Sequence, residues 1–384
     1  MEQLVGKPSL LRDINYRSVF EHVAARGPIS RTEISDELNL SPASVSRLID
    51  DLLKAKLILE GERVAAGMGR RRTLLDINPQ AALVAGLSIR SQTVRLVLAD
   101  LQGTVLKQDK FTLKTTKPKK LVSRIKKRLL AARDEVAAKV PLGSVIVGVQ
   151  GAWNPTSQHV YAAPHLSFLE DVNLLAQFEN ALKTYVFSQS VSVDNDINFA
   201  ALGEGSYGAA QEVDSFFYLH LGSGVGGAAV THGSLRRGVD GFAGELGYVP
   251  IYMDGKALPL EQVVSKAALE GYARDLKLGS LEALFAQMEK GSKKTQAIME
   301  RTSEALALAV AAVVTTLNPE MIVLGGSVGR YSNVWIPAIE QKLSNFPIPT
   351  RIVSTRLGPN ASLRGSVAYG LKVARQALLR EEVL

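Results

Sequence analysis

Residues 215–238, SFFYLHLGSGVGGAAVTHGSLRRG, read as a strand, a glycine-rich turn and a return strand. Residues 84–106, VAGLSIRSQTVRLVLADLQGTVL, have the same layout, two alternating strands joined by a turn. Each stretch is followed by helical segments and two further apolar runs. These are SVIVGV (144–149) and VSVDND (191–196) in the first half, EMIVLGG (320–326) and RIVST (351–355) in the second. Short β-rich runs alternating with longer helices mark an α/β domain, and the repeated order implies a duplication. The expected architecture is two related lobes with a cleft between them, a place that ligands favour.

Upstream the pattern changes. Residues 10–59 have helical period and dense charge, and residues 61–79 are rich in Gly and Arg and end in the turn signal Asn78-Pro79. From Asn15 to Arg26, Val19, Phe20 and Val23 fall on one helical side, and Gly27-Pro28 closes the segment. Ser30 and Glu33 have the spacing of a capping box for a helix from Arg31 to Leu38, with Ile34 and Leu38 inward. Asn39-Leu40 is a short turn. Ser41 caps a third helix, Pro42 sits where a missing N–H costs nothing, and Val45, Leu48, Ile49 and Leu52 form its buried stripe. Ser44, Ser46 and Arg47 are left outward near its start.

Two short helices at a tight turn, the second opening with small polar residues and an arginine, are what a DNA major groove accepts. The stretch LILEGERVAAGMGRRRTLLDINP (57–79) then reads as a β-hairpin wing, its tip carrying Gly67, Gly69 and Arg70, Arg71 and Arg72, which a narrow minor groove attracts. The DNA-contacting set expected from this winged helix-turn-helix is Arg31, Ser41, Ala43, Ser44, Ser46, Arg47, Arg70, Arg71 and Arg72. The competing reading is a three-helix structural or protein-docking module. Acids such as Asp36, Glu37, Asp50 and Asp51 offset its basic residues, so the placement of the arginines matters more than their total.

Composition narrows the class. The chain has 384 residues, 46% of them hydrophobic, a formal net charge of +8 and no cysteine. Disulfides and thiolate zinc sites are thereby excluded. The segment MEQLVGKPSLLRDINYRSVF (1–20) lacks the unbroken apolar core of a signal peptide. No apolar run reaches the ~20 residues that span a bilayer. Residues 306–317 are apolar but too short, and read as a buried helix. A cytoplasmic protein with no membrane partner is expected. The basic stretch 107–128, with Lys114, Lys117, Lys119, Lys120, Lys126, Lys127 and Arg128, reads as a solvated strand end and helix face.

Three motifs carry a resemblance to a known family. GSGVGGAAVTHGSLRRGVDGFAGELGYVPI (222–251) resembles the signature region of the ROK family, which comprises repressors, sugar kinases and other relatives. VDNDINFAALGE (193–204) is similar to that family's sugar-binding segment, and NPEMIVLGGSVG (318–329) to its late glycine motif. The upstream winged helix is similar to that of ROK repressors of xylose, glucose and N-acetylglucosamine genes. The resemblance implies an actin-like, ribonuclease-H-like duplicated domain of sugar-kinase type, with boundaries at 1–80 for the DNA-binding unit, 81–195 for the first lobe and 196–384 for the second. It implies sugar-binding roles for Asn195 and Asp196, for Glu245 in Gly-Glu-Leu-Gly and for Glu261 in LPLEQVVSKAAL. Tyr248 and His165 join them as sugar neighbours, and Trp153 is either a stacking platform, core or interface. Gly222, Gly224, Gly226 and Gly227 match the phosphate-side turn, or simply a tight connection needing positive φ.

Departures from the family pattern are as informative. Kinases of the family carry an Asp followed by Gly-Gly-Thr in the first turn, where the Asp helps hold magnesium and the glycines admit phosphates. Here Ser88 stands for that Asp, and Arg90 and Ser91 stand where glycines would be, within residues 87–93. Phosphoryl transfer needs positioning and charge neutralisation, so catalysis is not expected. The family's zinc site is lost, with Tyr248 in place of its His and no cysteine in YMDGKALP (252–259). No metal and no cofactor are expected. The resulting expectation is a repressor of carbohydrate genes that binds a double-stranded operator as a homodimer or homotetramer, controlled by a sugar effector. An ATP-dependent sugar kinase is the alternative.

Overall fold

The computed structural model describes residues 8–66, 70–91, 93–113, 115–253, 255–347 and 351–383. Expectations placed on Gly67, Gly69, Gln92, Lys114 and the side chain of Arg70 lie outside the described residues. The N-terminal unit comprises α1 (Pro8–Arg26), β1 (Ile29–Ser30), α2 (Arg31–Leu38), α3 (Pro42–Lys54), β2 (Ile58–Ala66) and β3 (Arg70–Ile77). The next unit runs β4 (Leu83–Arg90), β5 (Thr93–Ala99), β6 (Val105–Thr112), α4 (Pro118–Ala137), β7 (Leu142–Val149), β8 (Ala152–Asn154), β9 (His159–Tyr161), α5 (Leu174–Leu182), β10 (Val191–Asn195) and α6 (Asp196–Tyr207). Then come β11 (Phe216–Leu221), β12 (Val225–Thr231), β13 (Ser234–Arg236), β14 (Pro250–Met253), β15 (Lys256–Pro259), α7 (Leu260–Val264), α8 (Lys266–Asp275), α9 (Leu281–Glu289) and α10 (Gln296–Leu317). The chain ends with β16 (Met321–Gly325), α11 (Gly326–Gly329), α12 (Ser332–Leu343), β17 (Arg351–Ser354) and α13 (Ala361–Val383).

The local signals in the N-terminal unit act as expected. Ser30 caps α2 with a reciprocal capping box to Glu33, Asn39 ends it in a left-handed conformation, and Ser41 caps α3 with Pro42 in its first turn. Val45, Leu48, Ile49 and Leu52 are buried against Val19, Phe20, Val23 and Ile34. β2 and β3 pair antiparallel, and β1 adds to the far edge of β3.

The duplication is explicit in the sheets. The first has the order β6-β5-β4-β7-β10 and the second β13-β12-β11-β16-β17. In each, a three-strand antiparallel run is extended by two parallel strands. The helices that follow the last strand of each sheet, α6 and α13, occupy equivalent places in the two repeats. They pack on each other, with Gly203 of α6 against Ala361 and Gly365 of α13 against Phe199. A Cβ on Gly365 would overlap the Phe199 carbonyl oxygen, so these backbones touch without intervening side chains.

Three differences from the sequence reading have physical causes. β4 does not alternate between buried and exposed positions. Its residues from Leu83 to Ile89 are buried, because helices cover both faces. Leu83, Ala85, Leu87 and Ile89 face α4 and α5, while Val84 faces α13. The helix α13, counted above with the second lobe, returns to pack on β4 and β7, where the Ser144 hydroxyl donates to the Gly370 carbonyl at 2.8 Å. Finally, α10 is buried on one side only, since Leu308 and Leu317 face outward.

One apolar core joins the DNA-binding unit to the rest. Tyr16, Val19, Phe20 and Ile77 belong to the same cluster as Ala82, Val97, Ala99 and Leu101 and as Leu371, Ala374, Leu378 and Leu379 of α13. Arg375 reinforces it by donating to the Leu101 carbonyl at 3.4 Å. The N-terminal unit is therefore packed onto the first sheet and α13 rather than hung on a loose linker.

Candidate functional site

Between the two sheets lies a cleft of about 640 Å³, counting its open mouth. Asn195, Asp196, Glu245, Tyr248, Glu261 and His165, all named from sequence, line it. β10 delivers Asn195 to the start of α6, where its Oδ1 accepts from the Ile197 amide at 2.8 Å and caps the helix. Its Nδ2 donates to Glu245 Oε1 at 3.1 Å across the cleft. Glu261, in the first turn of α7, accepts from the Val225 amide at 2.9 Å and so ties α7 to the glycine turn. Tyr248 is half exposed and tilts against Phe242, ring centroids 5.6 Å apart. His165 is exposed at the rim. Trp153 is core, packed in the first lobe's apolar cluster.

The electrostatics follow from burial. Burial pushes Asp196 above the usual carboxylate range, against the opposing pull of Arg90. Glu245 is pushed up to about 7, first by burial and then by the neighbouring Asp196 and Glu261, with the Asn195 hydrogen bond acting the other way. A set of close carboxylates with an amide beside them accepts several hydroxyl protons at once, which is what a polyol requires.

The glycines of the second turn need correction. Gly222, Gly224, Gly226 and Gly227 are not among the positive-φ residues. They are required by close approach instead. A Cβ on Gly222 would stand 2.7 Å from His220 Nε2 and one on Gly224 3.2 Å from Glu261, while one on Gly227 would overlap the Phe217 ring.

Several residues in or beside the cleft were not singled out for a site role. Arg90, read only as an obstacle, pairs through Nε with Asp196 Oδ2. Arg237 reaches over from the segment after β13 and donates to Asp194 Oδ2 at 2.7 Å, while Asp194 Oδ1 accepts from Asn195 N at 2.8 Å and Asn198 Nδ2 at 2.7 Å. This pair, with its carboxylate buried and its guanidinium partly exposed, holds the end of β10 in place. Gln150 accepts from Ser91 N at 3.3 Å and donates to the Ser223 hydroxyl at 3.2 Å, spanning the two turns. His220 had a visible signal, a histidine inside the apolar run FFYLHL directly before the glycines.

On the N-terminal unit, α3 presents its first turn outward. Ser41, Ala43 and Arg47 are exposed, and Ser44 and Ser46 are partly covered. Ser44 Oγ accepts from Ser41 Oγ at 2.8 Å. Arg71 and Arg72 are exposed near the end of the wing. Arg31 is engaged internally, donating to Ser46 Oγ at 3.1 Å and pairing with Asp50 at 2.9 Å and Glu60 at 3.6 Å. Its first task is therefore to fasten α2 to α3 and the wing. Arg12 of α1, absent from the expected set, lines a hollow with Ser44 and Arg47 and pairs with Asp51.

The chain is 26% identical over 363 residues to the xylose repressor of Caldicellulosiruptor bescii, covering 88% of this chain and 90% of that protein. It is 24% identical to the DNA-binding transcriptional dual regulator NagC of Escherichia coli, over 99% of this chain and 98% of that protein. Among solved structures, a ROK family transcriptional regulator described as a homolog of the E. coli MLC protein superposes with a TM-score of 0.80, at 24% identity, covering 97% of this chain and 99% of its own. A ROK hexokinase from Thermus thermophilus superposes with a TM-score of 0.62 at 24% identity, covering 74% of this chain and 96% of its own. Residues 84–371 match the ROK family profile, and the chain belongs to the ROK family.

Proposed function

We propose that this protein is a DNA-binding transcription regulator of carbohydrate genes, acting as a repressor, whose cleft binds a sugar effector. The observation that carries the reading is coverage. The regulator structure aligns with 97% of the chain, whereas the hexokinase accounts for nearly all of itself with 74%. The kinase fold is complete without the N-terminal unit, and the relatives named as regulators align over lengths that include it. In this reading α3 enters the major groove with Ser41, Ala43, Ser44, Ser46 and Arg47, and Arg70, Arg71 and Arg72 of the wing follow the minor groove. Arg31 contributes by holding α3 in place.

The sugar hydroxyls are received by Asn195, Asp196, Glu245 and Glu261, with Tyr248 and His165 at the rim. The route from effector to DNA is mechanical. Asn195 and Asp196 begin α6, α6 touches α13 backbone to backbone, and α13 shares a core with α1. A ligand that prefers one lobe closure shifts the winged helix only by its differential affinity for the two shapes. Two winged helices reading a palindrome require a two-fold assembly, so a homodimer or dimer of dimers is the expected form. No helix among the described residues is long and apolar enough to cross a membrane, in keeping with a cytoplasmic regulator.

Catalysis is not part of this function. Arg90 occupies one carboxylate oxygen of Asp196, the residue that would take the hydroxyl proton, and Ser88 brings no carboxylate to magnesium. The test is a binding assay with the full chain on DNA selected from a random pool. Sequence-selective, salt-sensitive retention is the expected result. Absence of such binding, or ATP consumption with hexoses that is lost in Asp196→Asn, would overturn it.

A further inference from the structure

Positive charge on this chain is concentrated in one place. Residues 107–128 hold ten Lys and Arg against one acid, Asp109, a net charge of +9. The whole chain carries +8, so the other 362 residues together sum to −1. The winged helix is not the source, since residues 1–80 hold twelve basic residues against eleven acidic ones. Most of the excess stands on α4. Its buried stripe, with Leu121, Ile125 and Leu129, packs on the first sheet. At helical spacing this turns Lys120, Ser123 and Lys127 outward, with Lys119 and Arg124 at their flanks. The nearby acids are already engaged, Asp109 by Arg128 at 3.4 Å, Asp134 by Arg133 at 2.6 Å and Glu135 by Lys107. Among the described residues Lys117, Lys119, Lys120, Arg124 and Lys127 have no ion-pair partner. Arg124 is held without being neutralised, its guanidinium 5.4 Å from the centroid of the Phe111 ring. Folding alone does not ask for this arrangement. α2, α3, α5, α8 and α9 each start on a Ser or Asn whose side chain caps the helix. α4 starts on Lys117, which makes no capping bond, and its first turn carries Lys119 and Lys120 and no acid. Cations at this end oppose the helix dipole, and a local rule broken without a gain to the fold points to a partner.

The kind of partner follows from what the face lacks. Among the described residues, none of the exposed large apolar side chains is on α4. A protein interface is centred on desolvated apolar anchors, and a helix lying in a membrane inserts apolar side chains. Ammonium, guanidinium and hydroxyl donors without apolar anchors suit a phosphate backbone. Location separates this face from the winged helix. α4 covers the side of the first sheet opposite to α13 and the N-terminal unit. Its basic start lies by Ser91 and His165 at the cleft end of the sheet, while the N-terminal unit packs by Ala82, Ala99 and Leu101 at the other end, about 20 Å along the strands. A duplex seated on α3 would reach α4 only by bending around the lobe, at an elastic cost. Resting on the DNA reading above, we propose that the outer face of α4 is a second, sequence-independent DNA surface, which holds a duplex segment other than the one α3 reads, so that the protein bridges two segments of DNA.

The experiment uses the full chain and two duplexes. A short duplex, selected by the protein from a random pool, is fixed to beads and loaded with protein, and a longer labelled duplex of arbitrary sequence is then offered in solution. The expected result is capture of the labelled duplex, with a slope of log capture against log salt of about −3 to −5 for the phosphates that five cations can meet. Lys119→Gln/Lys120→Gln/Lys127→Gln should reduce capture at least tenfold, while its affinity for the short duplex stays within about twofold of wild type and its melting temperature is not lowered. Lys290→Gln/Lys293→Gln/Lys294→Gln removes the same charge from exposed lysines between α9 and α10, and should capture as the wild type does. Absence of capture by the wild type, or capture unchanged in the α4 variant, overturns the proposal and leaves the DNA reading intact. So does an equal loss in the two triple variants, or an equal loss of the short duplex in the α4 variant. A polyglutamate peptide that displaces the labelled duplex better than unlabelled duplex does, at matched charge, would assign the face to an acidic protein and also overturn it. Failure of the wild type to hold the short duplex overturns the DNA reading itself, and this proposal with it.

Discussion

Glu245 offers the sharpest thermodynamic test of the cleft. Its carboxyl is buried beside Asp196 and Glu261, and its pKa stands at about 7 against an ordinary 4.5. Between those values the folded protein holds a proton that the unfolded chain has released, so stability falls as pH rises through that interval. The penalty is absent below about pH 4.5 and complete above about pH 7. A gap of about 2.5 in pKa, at about 1.4 kcal/mol for each, makes the full penalty at most about 3.5 kcal/mol. Gln at this position keeps an oxygen for Asn195 Nδ2 and removes the charge. Glu245→Gln should therefore leave stability little changed at pH 5 and raise it by about 2–3 kcal/mol at pH 8. Thermal unfolding of both proteins from pH 5 to 8, with no ligand present, reads this directly. Parallel pH profiles for the two proteins would refute the claim that burial holds this carboxyl protonated. The same variant should bind the effector more weakly at pH 8, where it lacks the ionised acceptor.

Other perturbations probe the remaining parts of the account. Gly365→Ala places a methyl group on the Phe199 carbonyl, so α6 and α13 must part by roughly 1–2 Å to restore contact distance. It should cost about 1–3 kcal/mol and, in the folded fraction, reduce the effector's influence on DNA affinity; an unaltered melting temperature would count against the direct backbone contact. Arg237→Met leaves the buried Asp194 without its cation and should destabilise by about 1–3 kcal/mol, visible in denaturant midpoints, with a smaller loss in Arg237→Met/Asp194→Asn. Arg71→Ala and Arg72→Ala should each weaken DNA binding across sequences and lower the slope of log affinity against log salt by about 1. Arg47→Ala should instead relax selectivity at one base position, and equal losses on all sequences would assign Arg47 to a phosphate.

What the sequence disclosed depended on range. The capping box at Ser30 and Glu33, the Ser41-Pro42 start of α3 and the stripe from Val45 to Leu52 are set by neighbours a few residues apart, and they were legible. The repeat was legible because each half carries its own strand–turn–strand run and two later buried strands. The alternation expected of β4 failed because burial on its second face comes from α13, which lies more than 270 residues later. The cleft residues Asn195, Asp196, Glu245 and Glu261 were reached through motif resemblance, and the structure brings them together. The Arg90 to Asp196 pair spans 106 residues and the Arg237 to Asp194 pair 43. No spacing rule links such partners, so Arg90 could be seen to block a phosphate but not to hold an acid. The internal partners of Arg31 were hidden for a related reason. Its partner Glu60 arrives only when the wing folds back beside α2.

The central claim is that occupancy of the cleft controls the winged helix. Its most direct measurement is the affinity of the full chain for a selected DNA duplex, at fixed salt, with and without a sugar derivative shown by titration to bind the cleft. A change in affinity of about tenfold that disappears in Asp196→Asn is the predicted result. Tight, selective DNA binding that no cleft ligand alters would contradict the account.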